Sequence, residues 1–443
     1  MQIQRVAQPQ REFFKTSASL AEEAVRDGLR DTVDLAARAS REDGTIPVIV
    51  HPEGKSVQEA MAAFRELTGA ARTEDLHLIG SFAADLSPQA FAQLLEHPPE
   101  GYRLTLDEKV HLIDPVSTQG EIRPDLENAV RTLGVDKLWE AGYRGQGVTI
   151  AVIDTGIYPH PDYADRIVGF KDWVQGLSEP YDDQGHGTHV AGDALGDGTA
   201  SDGKYTGPAP AANLVGIKVL DKHGGGRFSD IIKGVQWAVD HKNDYHIDII
   251  NMSLGGPIFA SYQDDPVAQA VGAAVDSGIV AAVAGGNSGP KASTIGSPGN
   301  HPAAFTVGAL NDRGTRSRDD DEVAFFSSRG PTTIDGLTKP DILSPGVNIT
   351  AANSPGSALD QLAVPHVGRS YITISGTSMA TPVMAGVIAA LLSANPSLTP
   401  AEVKEIFTST AAPLPGVDAN SQGAGVVHPE AALQEALRRK GAQ

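Results

Sequence analysis

Val148-Thr-Ile-Ala-Val-Ile153-Asp154-Thr-Gly156 is a short, mostly apolar run that stops on a carboxylate and a glycine. Similar runs recur at 214–219, 247–252, 279–284 and 305–307, ending in Gly, Asp or Ser. Several are separated by helical patterns, as at 229–241 and 265–276. Uniformly apolar strands alternating with helices specify a parallel sheet covered on both faces, because a strand with one wet face would alternate apolar and polar residues. From about residue 125 onward the expected fold is therefore α/β, a parallel sheet with helices on both faces. Functional residues in such sheets gather at the carboxyl ends of the strands.

Toward the N-terminus the texture changes. Residues 46–113 read as strand 46–50, helix 56–67, strand 76–82, helix 87–95 and strand 102–112, a small α+β unit. Ahead of it, Leu20, Ala24, Leu29, Val33 and Ala36-Ala37 fall at roughly helical spacing and predict an amphipathic arm over 17–38. Behind it, residues 114–124 are polar and carry Pro and Gly, the composition of an exposed, cleavable linker. The expected division is an arm at 1–45, the small unit at 46–118 and a large domain at 119–443.

Composition removes whole classes of function. Across 443 residues, 35 Lys+Arg against 55 Asp+Glu give a net charge of −20. A chain this acidic is a poor partner for nucleic acid phosphates or an anionic membrane surface, so neither is expected. The absence of cysteine excludes disulfides, thiolate metal sites and a cysteine nucleophile. The longest apolar stretch, 383–392, is about half of the ~20 residues a spanning helix needs. Residues 1–40 hold no apolar core of an export signal, so the expected location is the cytoplasm. The alternative is an extracellular protein exported by an unusual route or after a signal was trimmed.

Four segments carry chemistry. Asp154 sits just past a buried strand, where a carboxylate is expensive unless it is used or well hydrogen-bonded. A nucleotide-binding strand is a poor reading, because Gly145-Gln-Gly147 precedes the strand and a phosphate loop must follow it. Asp154-Thr-Gly156 and Asp276-Ser-Gly278 look like the paired half-sites of an aspartic protease, although Asp276 closes a helical pattern. The remaining reading makes Asp154 the orienting acid of a Ser-His-Asp triad. His186, in Asp182-Asp-Gln-Gly-His186-Gly-Thr-His189, has glycines on both sides, which would let substrate backbone approach the imidazole. As a metal pair, His186 and His189 lack the glutamate of a His-Glu-x-x-His motif and a third ligand. A hydrogen-bonded loop histidine is the plain alternative. Ser378 opens the apolar helix at 383–392, where a serine is commonly just a cap. That helix N-terminus also presents N–H groups where an oxyanion can form. Asn287, in Gly285-Gly-Asn287-Ser-Gly289, is a turn residue or a further donor at a strand's carboxyl end.

Taken together, Asp154, His186 and Ser378 follow the Asp…His…Ser chain order of subtilisin. Ile153-Asp154-Thr-Gly156, His186-Gly-Thr-His189-Val-Ala-Gly192 and Gly376-Thr-Ser378-Met-Ala-Thr-Pro382 match three active-site motifs. On these motifs the chain, over about residues 125–435, resembles the subtilisin-like serine proteases of the peptidase S8 family. Tyr205-Thr-Gly-Pro-Ala-Pro210, Phe326-Ser-Ser-Arg-Gly-Pro331 and Lys339-Pro-Asp-Ile-Leu-Ser-Pro-Gly346 look like its AprX-type branch, whose members commonly lack a signal peptide.

The resemblance implies a serine endopeptidase acting on protein or peptide substrates, with no cofactor for catalysis. Ser378 would be the nucleophile, His186 the general base and acid, Asp154 the tautomer-holding acid and Asn287 an oxyanion donor beside the Ser378 N–H. Ser253, Leu254 and Gly255 on one side, and Gly224, Gly225 and Gly226 on the other, match the edges between which substrate backbone adds as a strand. Gly296 matches the floor of the pocket for the residue before the scissile bond (P1), which implies a broad preference for large apolar residues. Residues 46–113 look like the family's propeptide, an intramolecular inhibitor cut off by self-processing. Many members carry a structural Ca²⁺ in the loop after the histidine helix. Here that loop holds Asp197 and Asp202, which read either as calcium ligands or as solvated turn residues. The rival readings are a catalytically inactive binding protein on the same fold and an aspartic protease.

Overall fold

The computed structural model describes residues 43–112, 115, 130, 132–315 and 317–441. The arm expected at 17–38 lies outside the described residues, as does the linker at 114–124 apart from Pro115.

The N-terminal unit runs β1 (Ile46–Pro52), α1 (Val57–Thr68), β2 (Arg72–Leu76), β3 (Ser81–Leu86), α2 (Pro88–Glu96) and β4 (Tyr102–Leu106). Its four strands form an antiparallel sheet in the order β2-β3-β1-β4, a split βαβ arrangement. Each helix starts where the sequence supplies a cap. Ser56 and Glu59 form a capping box ahead of α1, and Ser87 accepts the Ala90 N–H ahead of α2, with Pro88 at the first helical position. Phe64 of α1 packs its ring 5.5 Å from those of Phe82 and Tyr102, closing the core of the unit.

Two boundaries differ from the expected ones. Residues 76–82 are a hairpin, not a strand: β2 ends at Leu76, His77–Ile79 form a 3-10 turn and β3 begins at Ser81. Residues 102–112 split after Leu106, and β5 (Lys109–Leu112) leaves the N-terminal sheet altogether.

The large unit contains α3 (Val135–Glu140), β6 (Thr149–Asp154), β7 (Ile167–Asp172), α4 (His186–Leu195), β8 (Asn213–Lys218), β9 (Gly225–Arg227) and α5 (Phe228–Asp240). There follow β10 (Ile247–Met252), β11 (Leu254–Gly255), α6 (Pro266–Asp276), β12 (Val280–Ala284), β13 (Phe305–Asn311), β14 (Glu322–Val323), β15 (Ile342–Pro345) and α7 (Thr377–Ala394). The main sheet has the order β14-β13-β12-β10-β6-β8-β7, with β15 also paired to β13. Every pairing in it is parallel except that of β14. Alternate residues of β6 serve the two faces. Ile150 and Val152 pack with Val190 of α4 and Val387 of α7, whereas Ala151 and Ile153 pack with Ile231 of α5 and Val271 of α6. The expected layers are present. By length and composition α7 could cross a membrane, but here it is a core helix enclosed by other elements.

Candidate active site

The carboxyl edge of the sheet collects the expected residues. Asp154 ends β6, Ser253 follows β10 and Asn287 follows β12, and these are three neighbouring strands. His186 is the first residue of α4 and Ser378 the second of α7, so each is fixed by the start of a buried helix.

Asp154 and His186 are both fully buried, with Nδ1 of the imidazole 2.8 Å from Oδ1 of the carboxylate. The same oxygen accepts the Thr155 N–H at 2.7 Å. A carboxylate only accepts, so Nδ1 carries a proton. Among the described residues, Nε2 of His186 has no hydrogen-bond partner. Burial disfavours the charged imidazole, but Asp154, followed by Asp182 and Asp193, more than offsets this and raises the His186 pKa above its ordinary value. Asp182 also builds the turn into α4. Its Oδ1 accepts the N–H groups of Gln184 and Gly185, and its Oδ2 accepts both the N–H and the hydroxyl of Thr188.

Ser378 and Ser253 are tied twice. Ser378 Oγ donates to the Ser253 carbonyl at 3.2 Å, and Ser253 Oγ donates to the Ser378 carbonyl at 2.9 Å. Asn287 is oriented by Thr377, whose N–H and hydroxyl both meet its Oδ1 at 2.9 Å. Since the N–H of Thr377 can only donate, the amide oxygen must face it, and Nδ2 points the other way. A Cβ placed on Gly376 would lie 3.0 Å from that Nδ2, so the serine loop passes tightly against the amide.

The two expected substrate edges are joined by the chain itself. β5 forms an antiparallel three-stranded sheet in the order β11-β5-β9, pairing Leu112 with Leu254 and His111 with Gly255 on one side. On the other side it pairs His111 with Gly225, Val110 with Gly226 and Lys109 with Arg227. The Leu112 N–H also donates to the Gly224 carbonyl at 2.8 Å. Beyond this ladder lies a cavity of about 760 Å³, lined by Pro115, Gly256, Asn287, Thr294, Gly296 and others, none of them charged. Gly296 therefore does border a pocket, but its lack of a side chain has a further cause. A Cβ there would sit 2.8 Å from the Gly256 carbonyl, in the segment where Gly256 and Ser297 exchange backbone hydrogen bonds.

Other candidates sort differently. Asp276 is exposed at the end of α6, so it makes no pair with the buried Asp154. His189 is held by Asp193 at 2.9 Å and faces the Ile372 carbonyl at 3.2 Å, a structural role. The glycines beside His186 serve the protein's own packing, since a Cβ on Gly187 would overlap the Gly156 carbonyl. In the loop after α4, Asp197 Oδ1 accepts the Thr199 N–H and Asp202 takes a left-handed turn conformation. Among the described residues no group of three or more His, Asp or Glu side chains converges. In this structure both aspartates serve the turn. The sequence reading missed Thr377 and Asp182. Their signals were a hydroxyl next to the serine and an acid four residues ahead of the histidine.

A buried Asp–His pair and a helix-initial serine on the carboxyl edge of a doubly covered parallel sheet define a serine hydrolase. The subtilase family model matches residues 145–426, and the chain belongs to that family as a subtilisin-like serine protease. It is 47% identical over 358 residues to serine protease AprX of Bacillus subtilis, covering 80% of this chain and 78% of that one. Subtilisin E of the same species is 35% identical over 364 residues, covering 80% of this chain and 81% of its own. Fervidolysin from Fervidobacterium pennivorans, a keratinolytic enzyme related to subtilisin, shares the fold at a TM-score of 0.69 and 23% identity. That match covers 89% of this chain and 62% of fervidolysin.

Proposed function

We propose that the chain is an endopeptidase made as a self-processing zymogen, with Ser378, His186 and Asp154 as its triad. Ser378 Oγ leaves the Ser253 carbonyl, passes its proton to Nε2 of His186 and attacks the carbonyl carbon of the substrate. Asp154 holds the tautomer that leaves Nε2 able to accept, and it stabilises the imidazolium that forms. Charge on the substrate oxygen is met by Nδ2 of Asn287 and the Ser378 N–H. The imidazolium then protonates the leaving amine, and water resolves the acyl-enzyme by the same steps. No cofactor takes part. The buried 2.8 Å bond from His186 to Asp154, with the far ring nitrogen unpartnered, carries this reading.

Residues 46–113 act as the inhibitor, with β5 lying in the channel where substrate would add as a strand. The uncharged cavity that Gly296 borders supports a preference for large apolar P1 residues. A fluorophosphonate probe should label wild-type protein at Ser378 and leave Ser378→Ala unlabelled. An unlabelled wild type would instead favour an inactive binding protein on this fold.

A further inference from the structure

A strand lying between β9 and β11 meets different surroundings on its two faces. Val110 and Leu112 of β5 are buried, whereas Lys109 and His111 are exposed and line a second cavity, of about 430 Å³. With Arg72 they are the titratable residues that the N-terminal unit brings to it, and all three are of basic type. The large unit answers with Asp221 and Asp230, beside Arg227 and His223. Asp230 is already paired with Lys233 at 2.9 Å. Asp221 is held differently, because its Oδ1 accepts the backbone N–H groups of His223 at 2.8 Å and Gly225 at 3.0 Å. Among the described residues it has no cationic partner, so its charge is positioned but not neutralised. A Cβ built on Gly225 would stand 3.6 Å from Cε1 of His111 and 3.7 Å from both carboxylate oxygens of Asp221, the three atoms nearest that point. The strand side chain and the carboxylate therefore flank the same glycine.

His111 pairs with Gly225 on one side and Gly255 on the other. Ser378 Oγ rests on the Ser253 carbonyl, so a substrate residue opposite Ser253 is P1. Antiparallel chains count in opposite directions, which puts P2 opposite Leu254 and P3 opposite Gly255, where His111 now stands. We propose that Asp221 is a specificity-determining residue that selects lysine or arginine at P3 of the substrate. The inference rests on the triad and the channel assigned above. Lysine and arginine are longer than histidine and fully charged at neutral pH, so they carry a cation to the carboxylate. Arg227 confines the effect to that position. It pairs opposite Lys109, two residues further up the strand at P5, where a substrate cation meets a like charge. The cavity opens to solvent, which keeps the preference modest and makes it sensitive to salt.

The test uses full-length chain and a peptide series differing only at P3. kcat/KM with lysine at P3 should exceed that with glutamate by about fivefold, and the ratio should shrink at high salt. Asp221→Asn keeps an acceptor for both N–H groups and should bring the ratio close to one. A general loss of activity cancels from such a ratio. Moving the lysine to P5 should forfeit the preference. A second measurement needs no turnover. In uncut Ser378→Ala chain, His111→Lys should melt higher than His111→Glu, and Asp221→Asn should remove most of that difference. A lysine-to-glutamate ratio that Asp221→Asn leaves unchanged overturns the assignment while sparing the triad. Full-length chain that cleaves no peptide and takes up no fluorophosphonate removes the triad reading, and this one with it.

Discussion

Asn287 accepts two hydrogen bonds at one oxygen from the residue just ahead of the serine, the N–H and the hydroxyl of Thr377, each 2.9 Å. That double tie fixes the amide with its oxygen on Thr377 and its Nδ2 directed away from it, the orientation that the proposed oxyanion donor requires. Asn287→Ala should therefore lower kcat far more than it raises KM. The expected loss is roughly 10²–10³-fold, a magnitude known from a subtilisin and so not independent of this family. Near-normal kcat would make Asn287 a turn residue only. Thr377→Val removes one tie but keeps the N–H. It should lower kcat by about threefold to tenfold, with Thr377→Ser restoring it, as expected of a positioning residue worth one hydrogen bond.

For His186 the sign follows from which form works. In the proposed triad neutral imidazole accepts the serine proton, and Asp154 raises the His186 pKa, so the working form appears only above the ordinary histidine value. kcat/KM should climb with pH through that raised value, giving a neutral-to-alkaline optimum. Asp154→Asn should cut kcat steeply, by about 10⁴-fold in a comparable triad. A pH–rate profile with its maximum below about pH 5 would contradict the assignment.

The candidate site segments stood out in the sequence because Asp154, Asn287 and Ser378 each lie where an apolar run meets glycine-rich sequence. The main sheet was mostly legible for the same reason. β7 was not, because it is an edge strand of half-buried residues without a continuous apolar run. The hairpin at 76–82 was misread as a strand because Leu78 and Ile79 are apolar for a reason outside their own unit. They rest against the helices of the large unit beside α5 and α6. The break after Leu106 has the same origin. Asp107 turns away from β4 to meet Ser229 of α5, and no local pattern announces a partner more than a hundred residues away.

That contact yields a stability prediction. Asp107 is fully buried, accepts the Ser229 N–H at 2.8 Å and its hydroxyl at 2.6 Å, and so caps the start of α5 from the N-terminal unit. Burial pushes its pKa up to about 6, and burial with the nearby Asp265 pushes Glu108 to about 7. Raised acids favour the docked state while protonated. Their contribution is full below the ordinary carboxylate range, near ~4, and is lost as pH rises through about 6 to 7. Asp107→Asn keeps an acceptor and removes the charge. In an uncut Ser378→Ala background it should match the parent near pH 4 and become more stable than it by pH 8. The gain should be on the order of 2–3 kcal/mol at most. A difference in melting temperature that stays flat from pH 4 to 8 would show that Asp107 does not titrate in this range.

Gly296 is the position where pocket and backbone compete. A side chain there would fill the proposed P1 site and spare small residues. The Gly256 carbonyl, 2.8 Å from where a Cβ would stand, adds a second effect, because the backbone must shift before any pocket is filled. Even Gly296→Ala should push Gly256 away and strain its pairing with Ser297, which borders the same cavity. Overpacking of this kind costs about 1–3 kcal/mol. The melting temperature should fall, and kcat/KM should drop for every P1 residue. Large residues reach furthest toward that wall, so cleavage after Phe should lose roughly tenfold more than cleavage after Ala. The readout is a peptide series differing only at P1, run beside thermal melts of the uncut Ser378→Ala chain with and without the substitution. Unchanged melting with a selective loss after Phe would mean that the wall yields freely and Gly296 acts through pocket volume alone. Equal losses after Phe and Ala would mean that the P1 side chain does not reach Gly296.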